Sequence, residues 1–403
     1  MENYKGKYLF KYCNMKLDKE REIELNSFEE LLKASGANIA NEELKTIIDY
    51  KGKQIDREDY LINSVISKGD LMASTCKGFR DVLEYNNREE YNGCYDCNHQ
   101  DYTVFNIKNC CDCLFYNEKK CKCNILNIEH FNNIYGKSCG INNCVSDSCS
   151  QMILDFLDYR TIAVSFSSVL DNFSLLDWCS GGKGLLLQYK VVDNSKLFNI
   201  KYIKGYSKSK MFNLMRQPND MYVNSEQIIG DMREKFCEKN NDFCNEREVR
   251  FISDSDINRI DSDFSHQIVN EQDIGVELDS IIIYKNYYFL SNIGMTHEEK
   301  KNFENDIINK FKVFNKPIIF IQMDGKQQFI HIYIDGKIKT FIHLYYHKDK
   351  KDAEIFHKDT FYMLEYEKII GIECEKEVVR FYFVNEETSE ERMQEMKWRN
   401  GFY

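Results

Sequence analysis

The chain predicts an α+β fold: a mixed, strand-rich core with N-terminal helices, a cysteine-rich insert and a C-terminal β-meander. Three observations carry that prediction. Aromatic residues make up 14% of the 403 residues while prolines number only 2, a composition that supplies strands and leaves no Pro-rich linker. Runs of β-branched and aromatic residues are interleaved with segments whose apolar residues recur at spacings of three and four. Ten of the 16 cysteines fall between Cys94 and Cys149, where helical periodicity lapses and asparagine is abundant.

Taken in order, "KYLFKYC" (7–13) reads as an opening strand. Helical spacing follows in "SFEELLKASG" (27–36), "NEELKTIIDY" (41–50) and "DREDYLINSVISKGD" (56–70), with Ser27, Asn41 and Asp56 placed as N-caps. After the insert, "TIAVSFSSV" (161–169) and "GLLLQYKVV" (184–192) are strands separated by a glycine-rich loop, "DWCSGGKG". A helix fits "NSEQIIGDMREKFCEKN" (224–240), and the strand ending in Val249, Arg250, Phe251 and Ile252 comes directly after it. A further strand, "DSIIIYKNYYFL" (279–290), precedes a helix, "HEEKKNFENDIINKFKVF" (297–314). Past Pro317, two Asp-Gly turn signals between β-rich runs predict hairpins. The expected organisation is therefore residues 1–93 for the first strand and helices, 94–150 for the insert, 151–315 for the core sheet and 316–403 for the meander.

The formal net charge of −11 argues against non-specific binding to nucleic acid or an anionic membrane. The N-terminus lacks the apolar run of a secretory signal, and no stretch approaches the roughly 18 apolar residues of a membrane span. Both features predict a cytoplasmic protein, whose thiols stay reduced. In that setting Cys94-x-x-Cys97 and Cys110-x-x-Cys113 could close a tetrahedral S4 shell around a structural zinc ion. The same residues could equally be packed free thiols, since cysteine is plentiful here and behaves as a small hydrophobe.

Glu246, Glu248 and Arg250 alternate, so in a strand they would share one face. Two adjacent carboxylates resist joint ionisation, and Arg250 is the residue that would hold both charged. Ser165 and Ser167 likewise share a face of their strand, as edge hydroxyls or as hydrogen-bonding partners of a sugar or phosphate. A second row, Glu373, Glu375 and Glu377 with Arg380, shows how readily such alternation arises on a solvated face. What distinguishes Glu246 and Glu248 is their position after Ser-x-Ser.

In that order, Lys11 and Tyr12, then Ser165, Phe166 and Ser167, then Trp178, Lys183 and Gly184, then Phe243, Glu246, Glu248 and Arg250, the chain resembles an uncharacterised bacterial domain-of-unknown-function family. That family carries Cys-Phe-Ser, a tryptophan loop and Trp-x-x-Glu-x-Glu-x-Arg, with Phe243 standing here in place of the last tryptophan. The likeness spans about residues 7–300, interrupted by the insert. The same order of parts is similar, more distantly, to ADP-ribosyltransferases. This resemblance implies an NAD-using enzyme with a macromolecular acceptor and a toxin or antiviral role. Glu248 would hold the ribose and stabilise its cation, and Glu246 would orient or deprotonate the nucleophile. Ser165 or Ser167 would support the glutamate, Lys11 or Tyr12 would meet the dinucleotide, and Arg250 would keep the glutamates ionised. The alternative is a non-enzymatic ligand-sensing or protein-interaction module built on a structural zinc insert. A Rossmann site is not supported, because "CSGGKG" lacks the G-x-G-x-x-G spacing.

Overall fold

Apolar runs in the central strands are continuous rather than alternating, as expected of strands covered on both faces. A computed structural model describes residues 7–13, 47–50, 53–75, 116–117, 122–123, 161–170, 185–204, 236–255, 266–285, 296–324, 327–334, 336–348, 361–364, 366–375 and 378–397. β1 (Tyr8–Cys13) is followed by β2 (Ile47–Tyr50), β3 (Lys53–Asp56), α1 (Arg57–Tyr60), a π-helical turn over Leu61–Ile66, and β4 (Asp70–Ser74). β5 (Tyr116–Asn117) and β6 (Lys122–Cys123) form a short antiparallel pair. The middle of the chain supplies β7 (Thr161–Ser167), β8 (Leu185–Val191), β9 (Leu197–Asn199), β10 (Lys201–Ile203), β11 (Glu238–Asn240), β12 (Glu248–Asp254) and β13 (His266–Asn270). Then come α2 (Glu271–Ile274), β14 (Val276–Tyr284), α3 (His297–Phe311), β15 (Ile318–Asp324), β16 (Gln327–Ile334), β17 (Lys337–His347) and β18 (Phe361–Leu364). β19 (Glu367–Cys374), β20 (Val378–Asn385) and β21 (Glu391–Lys397) complete the described elements.

The main sheet is mixed and runs β13-β4-β7-β1-β8-β14-β15-β16-β17-β18. β12 joins it by pairing along the length of β7 and carries β9 on its other edge. β14 and β15 are parallel, which requires a crossover connection, and α3 lies within it. β19, β20 and β21 form a separate antiparallel sheet. The strand-rich α+β class is thus observed.

Alternate residues of each central strand feed different cores. Leu9, Ile281, Ile283, Ile318 and Phe320 pack with Tyr60, Leu61, Val65, Phe303 and Phe311, the apolar faces of the α1 region and α3. On the opposite face, Phe10, Ile282, Ile319 and Ile321 pack with Ile369, Ile372, Phe381 and Phe383 of the three-stranded sheet. Each such side chain contributes about 1.5–3 kcal/mol on leaving water. The fully buried Gln188 ties the two layers together: its Nε2 donates to the Ile372 carbonyl at 2.7 Å, and its Oε1 accepts from the Ile372 amide at 2.9 Å.

Two predicted helices differ from the structure. Ile47–Tyr50, within the helical pattern of 41–50, is a strand paired with β3, because β-branched Ile47 and Ile48 favour the pleated backbone once a partner strand is present. Glu238–Asn240, the end of the 224–240 pattern, is also a strand, paired in parallel with β10. Cys94, Cys97, Cys110, Cys113, Trp178, Lys183 and Gly184 lie outside the described residues.

Candidate functional site

β7 organises the site because three other segments meet it. Phe10 of β1 is the Cα partner of Ser167, while β12 sets Glu248 opposite Ser167 and Arg250 opposite Ser165. Lys11 on β1 reaches across to donate from Nζ to the Ser165 carbonyl at 3.1 Å, and its ammonium stands 5.8 Å from the Phe166 ring centre. Tyr12 donates to the Leu170 carbonyl at 2.8 Å, just beyond the end of β7. Motifs separated by more than 230 residues of sequence therefore pair with the same strand, β7.

One expectation is corrected here. Glu246, Glu248 and Arg250 do not share one strand face, because β12 begins at Glu248. Glu246 ends a 3-10 helix over Asn241–Glu246, opened by the Asn240 side chain accepting the Asp242 amide at 3.3 Å. Arg247 then takes a left-handed conformation, φ 48°, which redirects the chain between the two glutamates. The turn is fastened to β7: the Ser168 amide donates to the Arg247 carbonyl at 2.9 Å, and the Ser167 hydroxyl lies 2.9 Å from the Glu246 carbonyl. Ser167 thus supports the backbone of the glutamate segment, where a contact with a carboxylate was expected.

The carboxylates converge nonetheless, through a residue that sequence reasoning did not single out. Lys239 Nζ lies 2.6 Å from Glu246 Oε2 and 3.1 Å from Glu248 Oε2, and 5.1 Å from the centre of the Phe243 ring. Arg250 grips Glu248 in bidentate fashion, Nε to Oε1 at 2.6 Å and Nη2 to Oε2 at 2.9 Å, while Nη1 donates to the Phe236 carbonyl at 2.8 Å. Glu248 is 7% exposed and Arg250 fully buried, so this is a desolvated ion pair held by additional hydrogen bonds. Tyr202, the register partner of Lys239, accepts the Glu248 amide on its hydroxyl at 2.8 Å. Burial pushes the Tyr202 hydroxyl well above the ordinary phenol range; the amide bond from Glu248 opposes this, and the charges of Glu248 and Glu246 reinforce it. The phenol is therefore neutral at physiological pH.

The second glutamate row gives a direct contrast. Arg380 meets Glu373 at 3.0 Å, Glu375 at 2.7 Å and Glu395 at 2.6 Å, with Glu375 and Glu395 half exposed. That ladder is a solvated strand face, as its sequence predicts. Another cluster joins Lys285, Glu304 on α3 and His331 on β16. Burial alone would raise the Glu304 pKa, but the His331 and Lys285 hydrogen bonds outweigh it and hold the carboxyl down at about 2. Among the described residues, no group of three or more His, Cys, Asp or Glu side chains is placed to hold a metal ion, and no helix is long and apolar enough to cross a membrane.

Lys239, Tyr202 and Phe236 carried no signal in the sequence, since the parallel β10–β11 pairing that presents Tyr202 and Lys239 is non-local and short. Phe243 was visible only as the place of a tryptophan. No family model matches this chain, and neither the curated proteins nor the solved structures give a match.

Proposed function

We propose that the chain is an ADP-ribosyltransferase-like enzyme that cleaves the nicotinamide–ribose bond of NAD and passes the ADP-ribosyl group to a macromolecular acceptor. The observation that supports this reading is the pairing of β12 with β7, which sets Glu248 and Arg250 beside Ser167 and Ser165 on one face of the sheet, with Glu246 joined to them through Lys239; Lys11 stands on the other face, against Phe166. In the reaction, the bond between ribose C1′ and the pyridinium nitrogen breaks, and nicotinamide leaves with the bonding pair. The oxocarbenium character left on the ribose is stabilised by the fixed negative charge of Glu248. The acceptor forms the new bond to C1′ and gives its proton to Glu246, the less buried of the two carboxylates. Arg250 fixes the Glu248 rotamer, so that no reorganisation is needed as charge develops. Ser165 has its main chain engaged by Lys11 and its side chain half-buried on β7, the side on which a dinucleotide would lie. A toxin or antiviral role in the bacterial cytoplasm follows from the resemblance, and structural zinc at Cys94, Cys97, Cys110 and Cys113 remains part of the same proposal.

A second reading, a ligand-sensing module without chemistry, is favoured by the engagement of both Glu248 oxygens with internal cations. Incubating the full chain with NAD labelled in the adenylate phosphate, in the presence of bacterial extract, separates the two. The enzymatic reading expects label on a macromolecule or in free ADP-ribose, lost in Glu248→Gln. Unconsumed NAD at all enzyme concentrations would leave the sensing module.

A further inference from the structure

The ammonium of Lys239 occupies the focus of three groups from separate positions: the carboxylates of Glu246 and Glu248 and the ring of Phe243. An aromatic ring within about 6 Å of a cation, flanked by carboxylates, is a cation-recognition arrangement. Lys239 is also the less constrained of the two cations. Arg250 is fully buried and tied at three nitrogens, whereas Lys239 carries its charge on a flexible four-carbon stem from a three-residue strand. Among the described residues, the two carboxylates are in contact with two cations, Lys239 and Arg250, so a monovalent cation that replaced the Lys239 ammonium would keep that count. Phe243 is 37% exposed, so a ligand can approach the ring from solvent.

We propose that Phe243, Glu246 and Glu248 form a recognition site for a flat organic cation, a pyridinium such as that of an oxidised nicotinamide nucleotide, and that Lys239 fills this site as an internal plug when no ligand is bound. The identity of the cation rests on the NAD reading above; the existence of the site does not. A pyridinium nitrogen carries its charge in a ring that can lie against Phe243, and the charge passes toward ribose C1′ as the bond breaks. A site tuned to a cation thus serves bound substrate and transition state alike, while the plug keeps the two carboxylates paired and the segment folded in the free protein.

The test is calorimetric titration of the full chain with 1-methylnicotinamide, a pyridinium cation methylated on its ring nitrogen, and with nicotinamide, its neutral ring counterpart. Lys239→Met keeps the stem and removes the charge. The expected result is that this variant binds the cation about tenfold or more tightly than the wild type does, prefers it over nicotinamide, and loses about tenfold when Phe243→Leu is added. Lys239→Gln carries the same comparison if the methionine variant does not fold. Equal binding of cation and neutral ring, or no gain on removing Lys239, would overturn the inference. Cation selectivity without NAD turnover would sink the enzymatic reading alone, and turnover without cation selectivity would sink the plug alone.

Discussion

At the scale of single residues, Glu246 and Glu248 are chemically identical and physically different. Glu248 is anchored by a buried guanidinium, so removing its charge leaves Arg250 uncompensated inside the protein. Glu246 keeps 18% of its side-chain surface and pairs with Lys239, which also contacts Glu248. Glu248→Gln is therefore expected to lower unfolding free energy by about 3 kcal/mol, and Glu246→Gln by less, because Lys239 then keeps Glu248 as its partner. Urea unfolding of both variants at neutral pH measures the difference; equal losses would mean that Arg250 is not the anchor described here. The sequence made Glu248 and Arg250 legible as a pair, because their i, i+2 spacing in a strand is local. It misplaced Glu246, whose orientation depends on the left-handed Arg247, a non-glycine conformation that the residue type disfavours. Lys239 was illegible, because its partners were fixed by strand pairing and not by spacing.

Elements with strong local signals formed where the sequence placed them. β1, β7, β8 and α3 match their patterns, and β16 and β17 are joined through the second Asp-Gly signal, with Gly336 at φ 79°. The elements that differ, β2 and β11, are short segments whose helical spacing was overridden by a partner strand. Between elements, β19 sits tightly over β1. A Cβ added at Gly371 would lie 2.2 Å from Cδ2 of the Tyr8 ring, so the absence of a side chain at Gly371 lets the three-stranded sheet seat on the main one. Tyr8 has little room to yield, since it packs at 5.9 Å against Tyr382 and is buried. Gly371→Ala is expected to cost about 1–3 kcal/mol by overpacking, read as a lowered thermal midpoint. An unchanged midpoint would show that this seam is looser than the geometry requires.

For the molecule as a whole, the helices and the C-terminal sheet cover opposite faces of one mixed sheet, and the candidate site lies where β7 gathers β1 and β12. The layering explains why the central strands read as continuous apolar runs, and why the two glutamate rows part ways. Glu248 and Arg250 lie on a strand buried against its neighbours, while Glu375 and Glu395 are half exposed. The net charge of −11 leaves recognition of any anionic partner to local groups, among them Lys11 and Lys239. The central claim, that this junction cleaves NAD, is tested most directly by release of nicotinamide from NAD by the purified chain beside Glu246→Gln, at a temperature where unfolding curves show both folded. The account predicts release by the wild type that falls by two orders of magnitude or so in the variant, the usual scale for removing a general base. Release that is absent from the wild type, or unchanged in a folded Glu246→Gln, would contradict it.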